Sequence, residues 1–408
     1  MTLEQIKEKL EKYDQLHLLK YYDELDDNGK KNLLKQIEDT DFDVLKQLED
    51  KDAATKRGVI TPIDSMELPE IEANAEKFRA IGLDAIKNGE VAAVLLAGGM
   101  GTRLGSDNPK GMYNIGLTKE VYIFQRLIEN LMDVVKEAGA YIPLYVMTSD
   151  KNNDATVTFF KEKNYFGYKE DMVHFFKQEM APASDYEGHI YLEAKDRLST
   201  SPNGNAGWYV SMVRTGLAGE AKESGVKYFN IFAVDNVLQR IADPVFVGAV
   251  KDGGYVCGAK VVRKAARDEK VGAMCLEDGS PSIVEYYEMT DELMDAKNEK
   301  GDPAYNFGVI LNYLFSLEEL EEIWKKNLPL HVVEKKIPYI DENGDLVKPE
   351  SPNGYKFEQL VLDMIHQMKN CLPFEVVREK EFAPIKNPTG IDSVESAREL
   401  CKLNGIEL

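Results

Sequence analysis

The chain has 408 residues, with 71 acidic against 50 basic side chains and a net charge of −21. That balance excludes an extended basic grip on nucleic acid or on an anionic membrane surface, and leaves room for one pocket whose local sign a few Lys and Arg reverse. The length suits two or three domains and a large core. Four cysteines, Cys257, Cys275, Cys371 and Cys401, lie far apart with no C-x-x-C pair. Free thiols in a reducing, cytoplasmic setting are therefore expected, and a structural zinc site is not.

The first residues, "MTLEQIKEKLEKY", are charged and amphipathic, unlike a signal peptide, and no apolar run approaches the ~20 residues of a membrane span. Thr2 with Gln5 forms a capping-box pattern, and Leu3, Ile6, Leu10 and Tyr13 recur on one helical face. Two more short amphipathic helices follow, broken at Asn28-Gly29 and at Thr40-Asp41. Residues 1–58 thus read as a small helical module for packing or interaction, without chemistry of its own.

From residue 59 the pattern changes, and residues 59–408 read as one catalytic domain. "VITPIDSMELPE" is a Pro-punctuated linker, and "IEANAEKFRAIGLDAIKNG" is a helix. Apolar strands at Val91–Ala97, Leu144–Ser149, Phe229–Val234 and Tyr255–Val262 then alternate with helices such as "IFQRLIENLMDVVKEAGA" and "GWYVSMVRTGLAGEAKESG". Uninterrupted apolar strands of this kind predict an α/β fold: a Rossmann-like, mostly parallel sheet with helices on both faces. Ligands in such folds sit beyond the carboxyl ends of the strands.

One strand meets that condition visibly. "VAAVLLAGGMGTRLGSDNPKG" ends its apolar run at Gly98-Gly99. Bare backbone there admits a close approach to a planar or anionic group, and its N–H groups suit phosphate oxygens. The spacing matches neither G-x-G-x-x-G nor the P-loop. Arg103 and Lys110 in the same loop make a cradle for a polyphosphate, although either residue, taken alone, also reads as a solvated surface charge. Asp235 follows the apolar run "YFNIFAV", at a strand's carboxyl end, where it suits a metal or a helix cap. The five histidines have no metal-ligand spacing, and no G-x-S-x-G elbow is present.

"LLAGGMGTRLGSDNPKGMYNIG" resembles the nucleotide-binding signature of the eukaryotic-type UDP-sugar pyrophosphorylase family, most closely its UDP-N-acetylglucosamine pyrophosphorylase branch. "FFKQEMAPA", "SPNGNAGWY", "FAVDNVLQRIADPVFVG", "IVEYYEM", "EKKIPYID", "NGYKFEQLVLD" and "REKEFAPIKN" follow in family order. The resemblance implies the nucleotide-diphospho-sugar transferase fold. It also implies Mg²⁺-dependent transfer of uridylyl from UTP to a sugar 1-phosphate, with in-line attack on the α-phosphorus and release of pyrophosphate. Catalysis of that kind rests on positioning and on charge neutralisation.

By the same resemblance, Arg103, Lys110 and Lys386 hold the phosphates. Gly98, Gly99, Gln178, Gly204, Asp235 and Lys356 bind the nucleotide, and Asp235 also takes the metal. Asn205, Glu285, Tyr286 and Asn306 bind the sugar. N-Acetylglucosamine 1-phosphate is the expected acceptor, with glucose 1-phosphate, galactose 1-phosphate or a broad range of sugars as the alternative. Two features depart from the family. Val309 stands where an asparagine contacts the sugar, with Asn306 and Asn312 nearby as compensating groups, and Leu360 and Leu362 stand where phenylalanines are common. The chain also stops soon after Lys386, where larger homologues carry a further domain, so a monomer is expected.

Overall fold

The computed structural model describes residues 1–50, 57–325, 328 and 330–408, and for 49 and 50 the backbone only. The chain forms two compact units: Met1–Lys56, Glu179–Gly207 and Leu328–Val361 make one, and Arg57–Gln178, Trp208–Asn327 and Leu362–Leu408 the other.

The larger unit is built on a ten-stranded sheet. At its centre Tyr228–Ala233, Val91–Leu96, Leu144–Thr148 and Val173–Lys177 run parallel, side by side in that order. Val91–Leu96 and Leu144–Thr148 are buried along their whole length, which their uninterrupted apolar sequences require of strands covered on both faces. One face packs on the helices Leu68–Lys87, Ile123–Ala138 and Pro244–Asp252 through Phe78, Leu127, Leu131 and Phe246. Two of those helices approach closely. A Cβ on Gly82 would lie 1.9 Å from the Pro244 carbonyl oxygen, and one on Gly248 would lie 1.8 Å from that of Phe78, so glycine at both contacts sets the spacing. On the opposite face Trp208, from the helix Trp208–Arg214, lies edge-on to Phe229 at 5.6 Å and stacks on Phe315 at 6.3 Å.

The parallel expectation holds for this central part, and the rest of the sheet is mixed, mostly antiparallel. Phe307–Ser316 runs against Tyr228–Ala233 on one side and against Cys257–Arg263 on the other. Cys257–Arg263 in turn pairs in parallel with Leu372–Glu375, and Ala273–Glu277 with Ser280–Val284 forms a hairpin at the edge.

In the smaller unit, Thr2 caps the helix Leu3–Lys12 in the expected reciprocal box with Gln5. The next helix, Asp27–Asp39, is capped by Asp26, whose carboxylate accepts the Gly29 N–H at 2.7 Å. Asn28-Gly29 therefore lies inside its first turn and does not break it, a correction to the sequence reading; Thr40 ends it as expected. The helical segment does not bury its own apolar face. Ile6, Leu10, Leu18, Leu33, Ile37 and Phe42 share a core with Ile190, Leu192 and Leu198. Gln15 exchanges hydrogen bonds with the Gly188 carbonyl (2.9 Å) and the Ile190 N–H (2.8 Å), and the Tyr21 hydroxyl donates to the Asp341 carbonyl at 2.7 Å. A segment of this length buries too little apolar surface alone, so it recruits two later parts of the chain. These supply a four-stranded sheet of His331–Lys335, Gly354–Glu358, Met180–Ser184 and Thr200–Pro202. The division at residue 58 expected from sequence thus differs from the one that packing makes, and residues 51–56 before it lie outside the described residues.

Candidate active site

Because the central strands of the larger unit run parallel, the loops after them leave from the same edge of the sheet. Val91–Leu96 delivers Gly98 and Gly99, Val173–Lys177 delivers Gln178, and Tyr228–Ala233 delivers Asp235. Gln178 is buried, and its N–H donates to the Thr148 carbonyl at 2.8 Å. Its side-chain amide lies against Gly98, where a Cβ would sit 2.5 Å from Nε2. Gly98→Ala therefore displaces an amide assigned to the nucleotide. A rise in the KM for UTP of about tenfold, with little change in melting temperature, is expected from steady-state kinetics beside a thermal melt.

Asn152, which no sequence motif singles out, sets the backbone of the glycine turn. Fully buried, it accepts the Ser149 N–H at 2.7 Å and donates to the carbonyls of Ala97 (2.8 Å) and Gly99 (3.3 Å). A side-chain donor thus serves carbonyls that lie beyond the end of the strand Val91–Leu96. Beyond Gly99 the loop doubles back. Gly101 N–H donates to the Asn108 carbonyl at 2.8 Å, Gly105 takes a left-handed φ of 73° that favours glycine, and Lys110 N–H returns to the Gly99 carbonyl at 3.1 Å. Arg103 is left exposed on the short turn Thr102–Leu104.

The returning loop puts Lys110 Nζ 3.5 Å from Asp235 Oδ2, with side-chain exposures of 16% and 25%. A partly buried cation and carboxylate in such loose contact hold each other weakly, and either can take another charged partner at small desolvation cost. Asp235 is held from below. Its carbonyl accepts the Ile385 N–H at 2.9 Å. The buried Asn236 accepts the Ala383 N–H at 2.9 Å and donates to the Glu381 carbonyl at 2.7 Å. That stitching brings the segment bearing Lys386 beside Asp235. The Lys386 ammonium itself pairs with Asp392 at 3.0 Å, not with Asp235.

Three of the four residues assigned to the sugar, Glu285, Tyr286 and Asn306, stand on the antiparallel side of the same unit. A Cβ on Gly272 would lie 3.2 Å from Glu285 Oε1, and the Gly272 carbonyl accepts the Val309 N–H at 2.9 Å, so Glu285, Gly272 and Val309 are neighbours. Burial, joined by the Glu285 carboxylate, pushes the Tyr313 phenol well above its ordinary range. Tyr286 is exposed and lies edge-on to Tyr287 at 5.2 Å. The Asn306 carbonyl accepts the Lys264 N–H at 2.9 Å. Asn312 does not offer itself to a sugar, contrary to expectation. It is fully buried, accepting from Asn230 at 2.8 Å and donating to Gln239 at 3.2 Å, and Gln239 donates onward to the Ala233 and Asn236 carbonyls. That network braces the turn carrying Asp235.

Gly204, Asn205 and Lys356 belong to the smaller unit. Gly204 has φ 92°, and a Cβ there would lie 2.1 Å from the Gln359 carbonyl oxygen, so both backbone and space demand glycine. Asn205 Oδ1 accepts the Val361 N–H at 2.9 Å. Lys356 lies on Gly354–Glu358, opposite Val333 and Ala183.

A single carboxylate suits a magnesium ion whose other ligands come from phosphate and water, and the neighbouring lysine ammonium suits the phosphates, not the ion. Among the described residues there is no cluster of three or more His, Cys, Asp or Glu placed to hold an ion unaided.

The family model described as UTP–glucose-1-phosphate uridylyltransferase matches residues 44–405. UDP-N-acetylglucosamine pyrophosphorylase of Saccharomyces cerevisiae is 37% identical, with 96% of this chain and 84% of that protein covered. UDP-N-acetylhexosamine pyrophosphorylase-like protein 1 of Mus musculus is 36% identical, with 95% and 81% covered. The crystal structure of the uridine diphosphate N-acetylglucosamine pyrophosphorylase from Trypanosoma brucei superposes with a TM-score of 0.83 at 27% identity, covering 96% of this chain and 83% of that one. The chain belongs to the UTP–glucose-1-phosphate uridylyltransferase family, alongside its UDP-N-acetylglucosamine pyrophosphorylase relatives.

Proposed function

We propose that this chain is a uridylyltransferase that joins UTP and N-acetylglucosamine 1-phosphate, giving UDP-N-acetylglucosamine and pyrophosphate. The observation that carries the reading is the meeting of Lys110 and Asp235 beside the Gly98–Gln178 contact, in a chain of this family. The Gln178 amide, offering both a donor and an acceptor, reads the uracil edge against bare backbone. Lys110 and Arg103 hold the triphosphate, and Lys110 neutralises the charge that develops as pyrophosphate leaves. Lys386, released from Asp392, orients the sugar phosphate oxygen for in-line attack on the α-phosphorus. Asp235 is the ligand for a magnesium ion, which when bound neutralises phosphate charge. Gly204, Asn205 and Lys356 keep the nucleotide and sugar roles that the resemblance implies, as do Glu285, Tyr286 and Asn306.

We take the setting to be reducing and cytoplasmic, where the four buried cysteines stay as thiols, Cys257 and Cys371 with their sulfurs 3.0 Å apart. Among the described residues no helix is long and apolar enough to cross a membrane. We take the enzyme to act as a monomer, which light scattering at assay concentration checks directly.

Incubation with UTP, magnesium and N-acetylglucosamine 1-phosphate, followed by mass analysis, tests the reading. UDP-N-acetylglucosamine is the expected product, and UDP or uridine monophosphate in its place would overturn the proposal. Val309 tests the sugar end. Val309→Asn restores a hydrogen-bonding group beside Glu285. It is expected to raise the kcat/KM ratio for N-acetylglucosamine over glucose 1-phosphate by about tenfold.

A further inference from the structure

The larger unit holds a pocket of about 280 Å³ whose lining shares only Asn306 with the residues assigned above. Three pieces of chain build it: the turn after Cys257–Arg263, the helix Asp291–Asp295, and a hairpin closed by the Lys297–Pro303 bridge and the Ala304 N–H to Ala296 carbonyl bond of 2.9 Å. Met289, Met294, Pro303 and Tyr305 supply an apolar wall, and Lys264, Arg267 and Lys297 bring three cations.

The charges do not balance. Arg267 is spent on Asp295 (2.6 Å) and Asp291 (2.8 Å). Lys264 and Lys297 have no carboxylate within 4.0 Å among the described residues. The acid nearest in effect to Lys264, Glu269, is engaged by Arg378 and by the Ala265 N–H at 2.6 Å. Lys264 is only partly exposed, and its burial lowers the pKa of its ammonium, with Glu269 acting weakly in the other direction. A half-buried lysine without a counter-ion is unfavourable unless something supplies one. In a chain of net charge −21, this concave site leaves Lys264 without a close carboxylate, and gives Lys297 only the longer-range attraction of Asp295, which Arg267 already holds. Its volume lies just below the range of drug-sized sites, which fits a ligand of one ring.

We propose that this pocket binds a small organic anion, with its phosphate or carboxylate on Lys264 and Lys297 and an apolar body against Met289, Met294 and Tyr305. The test is isothermal titration of the full chain with phenyl phosphate, benzoate and neutral benzyl alcohol. UDP-N-acetylglucosamine and magnesium are held in excess to fill the nucleotide site. A prior titration with UDP-N-acetylglucosamine alone reports separately on the proposed activity. One equivalent of phenyl phosphate or benzoate is expected to bind, and the stronger of the two identifies the head group; benzyl alcohol is expected not to bind. Lys264→Met is expected to weaken the anion by about tenfold or more. Lys297→Met, an exposed change that leaves the fold alone, is expected to weaken it in the same sense. Absence of saturable anion binding, equal binding of benzyl alcohol, or unchanged affinity in Lys297→Met or in a folded Lys264→Met would each overturn the proposal.

Discussion

Lys110→Ala is expected to lower kcat by about 10²- to 10³-fold, the usual loss when one preorganised donor to transition-state charge is removed. The melting temperature should stay close to that of the unaltered protein. In the free enzyme the substitution removes a 3.5 Å ion pair whose side chains are 16% and 25% exposed, and pairs reached by solvent contribute about 0–1 kcal/mol. Rate and stability therefore separate. The KM for UTP should move less than kcat, because the charge that Lys110 meets is largest as pyrophosphate departs. Single-turnover kinetics beside a thermal melt make the comparison. A rate within a few-fold of the original would place the phosphate site elsewhere.

The second large effect is on stability. Lys260, fully buried, reaches Glu381 (2.6 Å), Asp243 (3.2 Å) and the Arg240 carbonyl (3.0 Å). Asp243 caps the helix Pro244–Asp252, and Glu381 begins the segment that Asn236 and Asp235 hold in place. Lys260→Met keeps the bulk and strands two buried carboxyls. Removing one partner from such a cluster costs about 3–5 kcal/mol, to be read from denaturant unfolding.

The pH dependence follows from the two carboxyls. Burial pushes both upward; attraction to Lys260 and Arg240 outweighs it at Asp243, which is held below its ordinary range, whereas Glu381, with Asp243 beside it, is held above. Asp243 thus contributes stability above its unfolded value that is lost in acid, and Glu381 contributes the opposite sense, losing stability as pH rises through its folded value. Without Lys260 both carboxyls shift upward and become easier to accommodate when protonated. The deficit of Lys260→Met should accordingly be smaller near about pH 5 than at neutrality. An equal deficit at both would contradict this charge assignment. Because the cluster anchors the chain leading to Ile385 and Lys386, the variant should also turn over more slowly at temperatures where it remains folded.

Three of the four central parallel strands, Val91–Leu96, Leu144–Thr148 and Tyr228–Ala233, are legible in the sequence as short, largely apolar runs that end in Gly, Ser or Asp, whereas Val173–Lys177, with His174 and Lys177 in it, is not. The expected and observed ends differ by no more than about two residues, the usual uncertainty of a boundary. Phe307–Ser316 is not legible in the same way, since its antiparallel course is set by pairing with Tyr228–Ala233, far away in sequence. The smaller unit escapes a local reading for a similar reason. Its core joins Ile6 and Leu33 to Ile190 and Leu198, and no local periodicity announces a neighbour at that separation.

At the site, the glycines, Arg103, Lys110 and Asp235 stand out because their residue types suit phosphate and metal. Asn152 and Asn236 do not. Each looks like an ordinary turn residue until its partners are seen, Gly99 for one and Glu381 for the other. Buried amides that satisfy backbone carbonyls leave little local signature beyond their position after a strand. Asn312 misleads in the other direction: its type suits a sugar hydroxyl, but the fold spends it on Asn230 and Gln239.

The most direct measurement is pyrophosphate release from UTP and magnesium with N-acetylglucosamine, N-acetylgalactosamine, glucose and galactose 1-phosphates in parallel. Release that depends on the sugar phosphate, with the highest kcat/KM for N-acetylglucosamine 1-phosphate, is the expected result. Release with the plain hexoses alone would contradict the sugar assignment and trace it to Val309, and no release with any of the four would contradict the assignment of Lys110 and Asp235 to catalysis.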